Sequence, residues 1–248
     1  MTKKIALLII CFLLSFSFLN AQENIKVYYK KIAGENLKNS SVERIKLATE
    51  SLKELEYELI INANLDTVCF QLVDKVFSDK FKKGALVHGG GNTNYFVKNK
   101  DSYTVLQIKE EFNKKYFRKY DFKDMNKWVI TKETKKINNY LCYKATLLTE
   151  YNGVAGFDEK TLKTSWKKVS KTLTAWFCPE IPYSFGPDVF YGLPGLVFEG
   201  YDSIGYASFV LDKITYNKNK TKIKIPNLKI LTEEESLKLF DESFKNLN

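Results

Sequence analysis

Four carboxylates stand close together in one stretch of the chain: Glu180, Asp188, Glu199 and Asp202. Two of them facing one cleft, roughly 5–10 Å apart, would suit a hydrolase of the glycosidase type, one acting as acid and the other as base or nucleophile. Tyr183 and Tyr191 lie in the same stretch and would support such a site. The competing reading is that these acids are solvated or cap loops, the common fate of carboxylates in a chain that is 27% charged. Calcium could use the same oxygens, but the alternating Asp/Asn spacing of a dedicated calcium loop is missing.

Other chemistry is thinner. His88–Gly91 reads HGGG, like the oxyanion loop of some lipases, yet no Gly-x-Ser-x-Gly elbow accompanies it. His88 is the only histidine, so a Ser-His or Cys-His pair would have no separate base. The stretch reads better as a glycine turn between strands. Cys142 and Cys178 are candidates for a disulfide if their strands pair, and Cys69 is then left as a thiol. No two cysteines are near enough in sequence for a zinc site. No metal and no cofactor is expected.

These residues must be held by something, and the pattern is mostly strand. Alternation marks strands at Asn24–Ile32, at Tyr57–Asp74 around a turn at Asn64–Asp66, and after the His88 loop. Further strands are expected at Ser102–Lys109 and Lys114–Phe122. Trp128–Tyr151 reads as a hairpin turning near Asn138-Asn139. Its period of two sets Tyr140, Cys142, Lys144 and Thr146 on one face, and Leu141, Tyr143, Ala145 and Leu147 on a core face. Cys142 and Cys178 would flank an insertion over 152–168. Ser170–Cys178 is the next strand, with Thr174, Trp176 and Cys178 on one side. A last hairpin joins GLVFEGYD to Gly205–Tyr216. Helices are expected after Ser40, where Glu43 completes a capping box ahead of Ile45, Ala48, Leu52 and Leu55, and after Thr232, where Glu235 does the same ahead of Leu237, Phe240 and Phe244. Successive strands with short turns predict a mainly β (α+β) fold: a strongly curved antiparallel sheet or open barrel with one or two packed helices. Its hollow would be filled by core side chains or hold a ligand.

Of five prolines, four lie within Phe177–Asp202. Leu193-Pro194-Gly195-Leu196 fits a type II turn, with proline fixing φ and glycine accepting a positive one. The segment is therefore a stiff, irregular crossing between strands. It either caps one end of the sheet or forms a preorganised rim for a ligand or partner. The rim would comprise Trp176, Pro179, Ile181, Pro182, Gly186, Pro187, Gly192, Leu193, Pro194, Gly195, Leu196 and Val197, beside an apolar cavity of roughly 300 Å³ or more.

The chain opens with Lys3 and Lys4, an apolar run over Ile5–Leu19, and Ala21. That order is the pattern of a secretory signal peptide over residues 1–21, although Leu19 stands where a smaller residue is preferred, and the run is short for a membrane span. Cys11 lies within it without a lipobox-like setting, which argues against a lipoprotein. Residues 22–248 then form a single domain with no transmembrane segment. Without Lys3 and Lys4 the formal charge falls from +10 to +8. The lysines are scattered apart from 114–119 and 213–224, which describes a solvated surface rather than a nucleic-acid site.

The proline segment also carries a family likeness. Gly192-Leu193-Pro194-Gly195-Leu196-Val197 resembles the signature of the GLPGLI family, exported proteins of Bacteroidota, with Val197 in the last place. INNYLCYKAT (Ile137–Thr146) is similar to that family's Ile-x-Gly-Tyr-x-Cys-x-Lys-Ala-Thr element, with Asn139 for the glycine. AWFCPEIPYSFGPD is similar to its Ala-Trp-Tyr-x-x-x-Ile-Pro-x-x-x-Gly-Pro block, with Phe177 for the tyrosine. WVITKETKKI has the matching position. The likeness covers Trp128–Asp202 and implies export to the periplasm or cell surface. It implies no reaction. It points to an outer-membrane or periplasmic partner, such as a TonB-dependent receptor. An apolar small molecule is the other expected partner, and the leading expectation is non-catalytic binding.

Overall fold

The computed structural model describes residues 24–34, 38, 52, 54–62, 64–73, 93–111, 114–125, 127–158, 163–205, 207–217 and 222–245. The leader over 1–21, the HGGG loop and nearly all of the helix expected after Ser40 lie outside the described residues, although Leu52 is helical and buried.

The alternating stretches do form strands. They are β1 (Asn24–Ala33), β2 (Glu56–Ile61), β3 (Thr67–Leu72), β4 (Asn94–Asn99), β5 (Ser102–Glu111) and β6 (Lys114–Asp121), then β7 (Val129–Ile137), β8 (Tyr140–Asp158), β9 (Lys163–Cys178), β10 (Leu196–Asp202), β11 (Ala207–Asn217) and the short β12 (Ile230–Leu231). A helix, α1 (Glu233–Lys245), follows, and a 3-10 turn spans Phe122–Met125. The β7–β8 turn falls where the sequence sets it. Asn138 and Asn139 take φ of 48° and 68°, the left-handed values that a two-residue hairpin turn requires and asparagine tolerates. The expected insertion over 152–168 is not one: β8 and β9 run on as a long hairpin, pairing as far as Asp158 with Lys163.

These strands form one sheet among the described residues, in the order β12-β6-β5-β4-β3-β2-β1-β11-β10-β9-β8-β7. This corrects the expected strongly curved antiparallel sheet or open barrel. The sheet is open, neither closed nor strongly curved, with β12 and β7 at its edges, and β12 joins β6 in parallel. Closure is unnecessary because the edges are blunted in other ways. β12 is two residues long, and β7 exposes Lys132, Glu133 and Lys136.

The core gathers on one face under the segment that joins β9 to β10. Tyr57 stacks on Phe70 and meets Phe209 edge-on, at 5.6 and 5.1 Å between ring centroids. Phe96 of β4 receives Tyr191 and Phe185 from the connecting segment, at 5.0 and 5.3 Å. Phe122 stacks on Tyr191 at 5.0 Å. The connecting segment thus supplies the second layer that a sheet with one apolar face needs. Burial at the start of β8 departs from the expected core face: Leu141 is exposed, while Cys142 is buried opposite buried Cys178.

Candidate functional site

The proline segment folds on itself through short turns. Backbone N–H groups of Tyr183, Phe185 and Gly195 donate to the carbonyls of Ile181, Tyr183 and Leu193, each at 2.8 Å. These are three-residue turns, two of them centred on Pro182 and Pro194. The expected type II turn at Leu193–Leu196 is therefore replaced. Leu196 N–H donates to Ile181 O at 2.9 Å instead of closing on Leu193, and Gly195 is nearly extended at φ 158°. Of the twelve rim residues, Trp176, Ile181, Gly186, Pro187, Leu193, Gly195, Leu196 and Val197 are buried; Pro179, Pro182 and Pro194 are exposed and Gly192 is half-buried. Tyr29 OH donates to Val197 O at 2.7 Å and Trp128 Nε1–H to Tyr191 O at 2.8 Å, tying the segment to the sheet. Most of the segment is packing.

One bend of it is different. Pro187–Phe190 closes a turn (Phe190 N–H to Pro187 O, 2.9 Å) with Asp188 at φ 49°. A non-glycine residue in that region is strained and must be held by its surroundings. The hold is visible. Asn94 Nδ2 donates to Asp188 O at 2.7 Å, and Gln107 Nε2 donates to Asn94 Oδ1 at 3.0 Å. Tyr120 OH reaches Gln107 Oε1 at 3.5 Å, and Arg118 Nη1 reaches Tyr120 OH at 3.4 Å. A polar chain thus crosses β6, β5 and β4 to the bend.

The bend marks a change along the inward face of the sheet. On β5 the period of two runs Val105, Gln107, Lys109, Glu111, from apolar to charged. On β1 it runs Val27, Tyr29, Lys31, and on β9 it reaches Lys171 beyond Leu173. The apolar half lies under the proline segment. The polar half surrounds a cavity of about 590 Å³. Arg118 and Tyr120 of β6, Tyr151 of β8, Trp166 of β9, Tyr201 and Asp202 of β10, Phe209 of β11, the bend Asp188–Phe190, and Glu233 and Leu237 of α1 complete its wall.

Helix α1 is placed there by its start and by β6. Thr232 and Glu235 form the expected capping box: Glu235 N–H donates to Thr232 Oγ1 at 3.2 Å and Thr232 N–H to Glu235 Oε2 at 2.7 Å. Arg118 Nη2 donates to Ser236 Oγ at 2.8 Å, and Phe240 meets Trp166 edge-on at 5.4 Å.

Charges in the wall are largely committed. Asp202 accepts from Lys171 at 3.0 Å and from the N–H groups of Ile204 and Gly205 at 3.1 and 3.3 Å. Glu111 accepts from Tyr116 OH at 2.9 Å, and Glu233 from Asn152 Nδ2 at 2.7 Å with Arg118 Nη2 3.9 Å away. Burial pulls the Lys31 and Lys109 ammonium groups below their ordinary value, against the pull of Asp188 on both. Burial also raises the Tyr120 hydroxyl, which Arg118 opposes. Two buried donors, Arg118 Nε and Trp166 Nε1, have no acceptor among the described residues.

Of the four carboxylates singled out in sequence, Asp188 and Asp202 share this cavity; Glu180 is exposed, and Glu199 accepts from Lys135 Nζ at 2.6 Å. Tyr191 is buried in the core rather than at the cavity. Cys142 and Cys178 are buried free thiols set opposite each other by the β8–β9 register, in which Tyr143 pairs with Phe177. Cys69 is also a buried free thiol. Among the described residues no group of three His, Cys, Asp or Glu side chains could hold a metal ion, and no helix is long and apolar enough to cross a membrane. Sequence reasoning missed Lys31, Lys109, Arg118 and Trp166. The available signal was the switch from apolar to charged residues at constant parity in β1 and β5.

Residues 128–199 match a family model described as a protein of unknown function (Porph_ging), a domain associated with Bacteroidota. The match overlaps the stretch that resembles the GLPGLI signature without singling out that family. No curated protein matches the chain. Among solved structures, two of a protein described as PNGF-II are similar. One has a TM-score of 0.51 at 15% identity, covering 89% of this chain and 34% of that one. The other has 0.49 at 12%, covering 90% and 33%. The likeness is one of fold, and the chain spans about a third of the length of the structures it matches.

Proposed function

We propose that this is an exported, GLPGLI-like envelope protein that binds a small molecule without transforming it, in the cavity beside the Asp188 bend. The observation that carries this is the inward face itself: β1, β5 and β9 turn from apolar to charged side chains where the proline segment ends, around about 590 Å³ of space. Small-molecule sites usually fall between about 300 and 1,000 Å³. Burying Lys31 and Lys109 opposes folding, and a strained Asp188 does the same; such features persist at sites of function. The lining mixes charge with aromatic rings, so the ligand is amphipathic rather than the purely apolar one expected from sequence. Periplasm or cell surface is the proposed location, with a receptor of the outer membrane as a proposed recipient.

A second reading has one observation in its favour: Asp188 and Asp202 line the same cavity. Asp202 already accepts from Lys171 and two backbone N–H groups, so its oxygens are taken. The two readings part in one experiment. Purified protein is incubated with small molecules from a bacterial envelope extract, and retained species are identified by native mass spectrometry. Binding predicts a retained, unaltered molecule that is lost from Lys109→Met. Conversion of that molecule during incubation, abolished in Asp188→Asn, would select the hydrolase; retention by neither protein would remove both.

A further inference from the structure

We propose that Cys142 and Cys178 are the two halves of a cross-strand disulfide, and that the chain with both as thiols, as in this structure, is its reduced form. The bond would tie the β7–β8 hairpin to the strand from which the proline segment departs. The inference is independent of the cavity and of any ligand in it.

The sheet places the pair. Tyr143 pairs with Phe177 in the β8–β9 ladder, so the next step outward sets Cys142 opposite Cys178. Residues directly opposite on antiparallel strands share a face, with Cα atoms about 4.5–5.5 Å apart. A disulfide accepts about 4.4–6.8 Å. The two side chains lie within hydrogen-bonding reach of each other, and both are buried. Cys69 cannot compete. It sits on β3, with β2, β1, β11 and β10 between it and β9. At about 4.8 Å per strand in a sheet without strong curvature, that separation is about 24 Å, far beyond the Cα limit near 7 Å. Cys69 instead faces Gln71 Oε1 at 3.6 Å and packs with Tyr95 and Phe117. Of the three pairings the thiols allow, one is left.

Both ends of the proline segment rest on Cys178. At the start, Ile181 N–H donates to Cys178 O at 3.3 Å. At the end, Leu196 pairs with Cys178 across β9 and β10, and a Cβ on Gly195 would run into the Cys178 carbonyl. Cys142 belongs to the hairpin whose other strand, β7, is an edge of the sheet. A bond between the two thiols would therefore anchor the edge hairpin at the base of the segment.

The chemistry is exchange with a donor disulfide. One cysteine thiolate attacks a donor sulfur, the donor S–S bond breaks, and one donor half leaves as thiolate. The second cysteine thiolate attacks the mixed disulfide, forms the Cys142 Sγ–Cys178 Sγ bond and releases the other half. The cysteine pair loses two electrons, the donor gains them, and the two thiol protons end on the two donor thiolates. Burial pushes the Cys142 thiol up to about 12 and raises that of Cys178. Exchange needs thiolate, so it belongs to the folding chain or to an opened hairpin, not to the closed native state. The export proposed above would put the folding chain where disulfides form and persist.

The test starts from the full chain, reduced and unfolded, then refolded with oxidised glutathione as the donor. Remaining thiols are alkylated in urea and the peptides are mapped without reduction. The expected result is one bond, Cys142 to Cys178, with Cys69 alkylated. The oxidised chain should melt about 10 °C above the same chain refolded with a reductant, as closing a loop of this length implies. That gap should vanish in Cys142→Ala, and the wild type decides alone if this variant does not fold. Alkylation of all three cysteines, a bond that includes Cys69, or glutathione retained on Cys142 or Cys178 would overturn the pairing. An oxidised chain that melts no higher than the reduced one would overturn the anchoring role.

Discussion

Gly186 shows how tightly the proline segment is closed. A Cβ at that position would lie 2.2 Å from Phe190 O and 2.6 Å from Val197 Cβ. Backbone on one side and a buried strand on the other leave no direction for relief. Gly186→Ala should therefore destabilise the protein by about 1–3 kcal/mol, the usual range for overpacking, and toward the upper end because a carbonyl must move. A urea titration followed by tryptophan fluorescence measures this; an unchanged midpoint would mean that the segment is loose. The thiols make a second residue-level prediction. Burial raises all three, with Cys69 and Cys142 pushed up to about 12. Thiolate is the reactive form, so a thiol reagent at pH 8 should leave the native protein unmodified over minutes. After unfolding in urea, Cys69, Cys142 and Cys178 should all react if they are thiols, as in this structure. Reaction of Cys69 alone would show that Cys142 and Cys178 had been joined, which their opposed positions on β8 and β9 permit.

Helix α1 forms one wall of the cavity through Glu233 and Leu237, and its first turn depends on Thr232. Thr232→Ala removes the acceptor for Glu235 N–H. Loss of such a cap costs about 1 kcal/mol of helix stability. The expected consequence is local: faster amide exchange over 233–240 and a nearly unchanged melting temperature for the sheet. Unaltered exchange in the helix would place its stability in the contacts of Arg118 and Phe240 instead. This capping box was legible in sequence because both partners sit three residues apart in a short local motif. The hairpins were legible for a similar reason, since alternation and Asn138-Asn139 act over a few residues. The turn at Pro194 was not. Its type depended on Ile181 O, a distant acceptor that claims the Leu196 N–H. The cavity was hidden for the same kind of reason. Lys109 in β5 and Lys31 in β1 are ordinary strand lysines until the sheet order sets them on one face with Lys171 of β9. The need to protect edges predicts a strongly curved sheet or open barrel, and charge on β7 with a very short β12 meets that need in an open sheet without strong curvature.

At the scale of the whole molecule, the aromatic core sets the response to alkali. Burial raises the hydroxyl pKa of Tyr29, Tyr57 and Tyr191, all deep in the core, and pushes Tyr95 and Tyr116 up to about 12 from an ordinary 10.0. The buried thiols are shifted the same way from 9.0. Each such group keeps its proton in the folded chain after the unfolded chain has lost it. The folded state then binds more protons, and stability falls as pH rises. That contribution is intact below about pH 9, begins to go between 9 and 10, and is lost as the folded values near 12 are passed. Lys31 and Lys109 act in the opposite sense. Their folded pKa values lie below 10.5, so shedding their protons relieves the burial of charge and adds stability on the way to that pH. Two lysines oppose a larger number of tyrosines and thiols, so the net slope above pH 10 is downward. Urea midpoints should be flat from pH 7 to 9 and should drop steeply by pH 11. Tyrosine ionisation, read by ultraviolet absorbance, should rise together with the loss of near-ultraviolet circular dichroism, because the core tyrosines can ionise only as the sheet opens. Complete ionisation near pH 10 with the fold intact would show that water reaches the Tyr57–Phe70–Phe209 cluster, and the closed face under the proline segment would have to be abandoned.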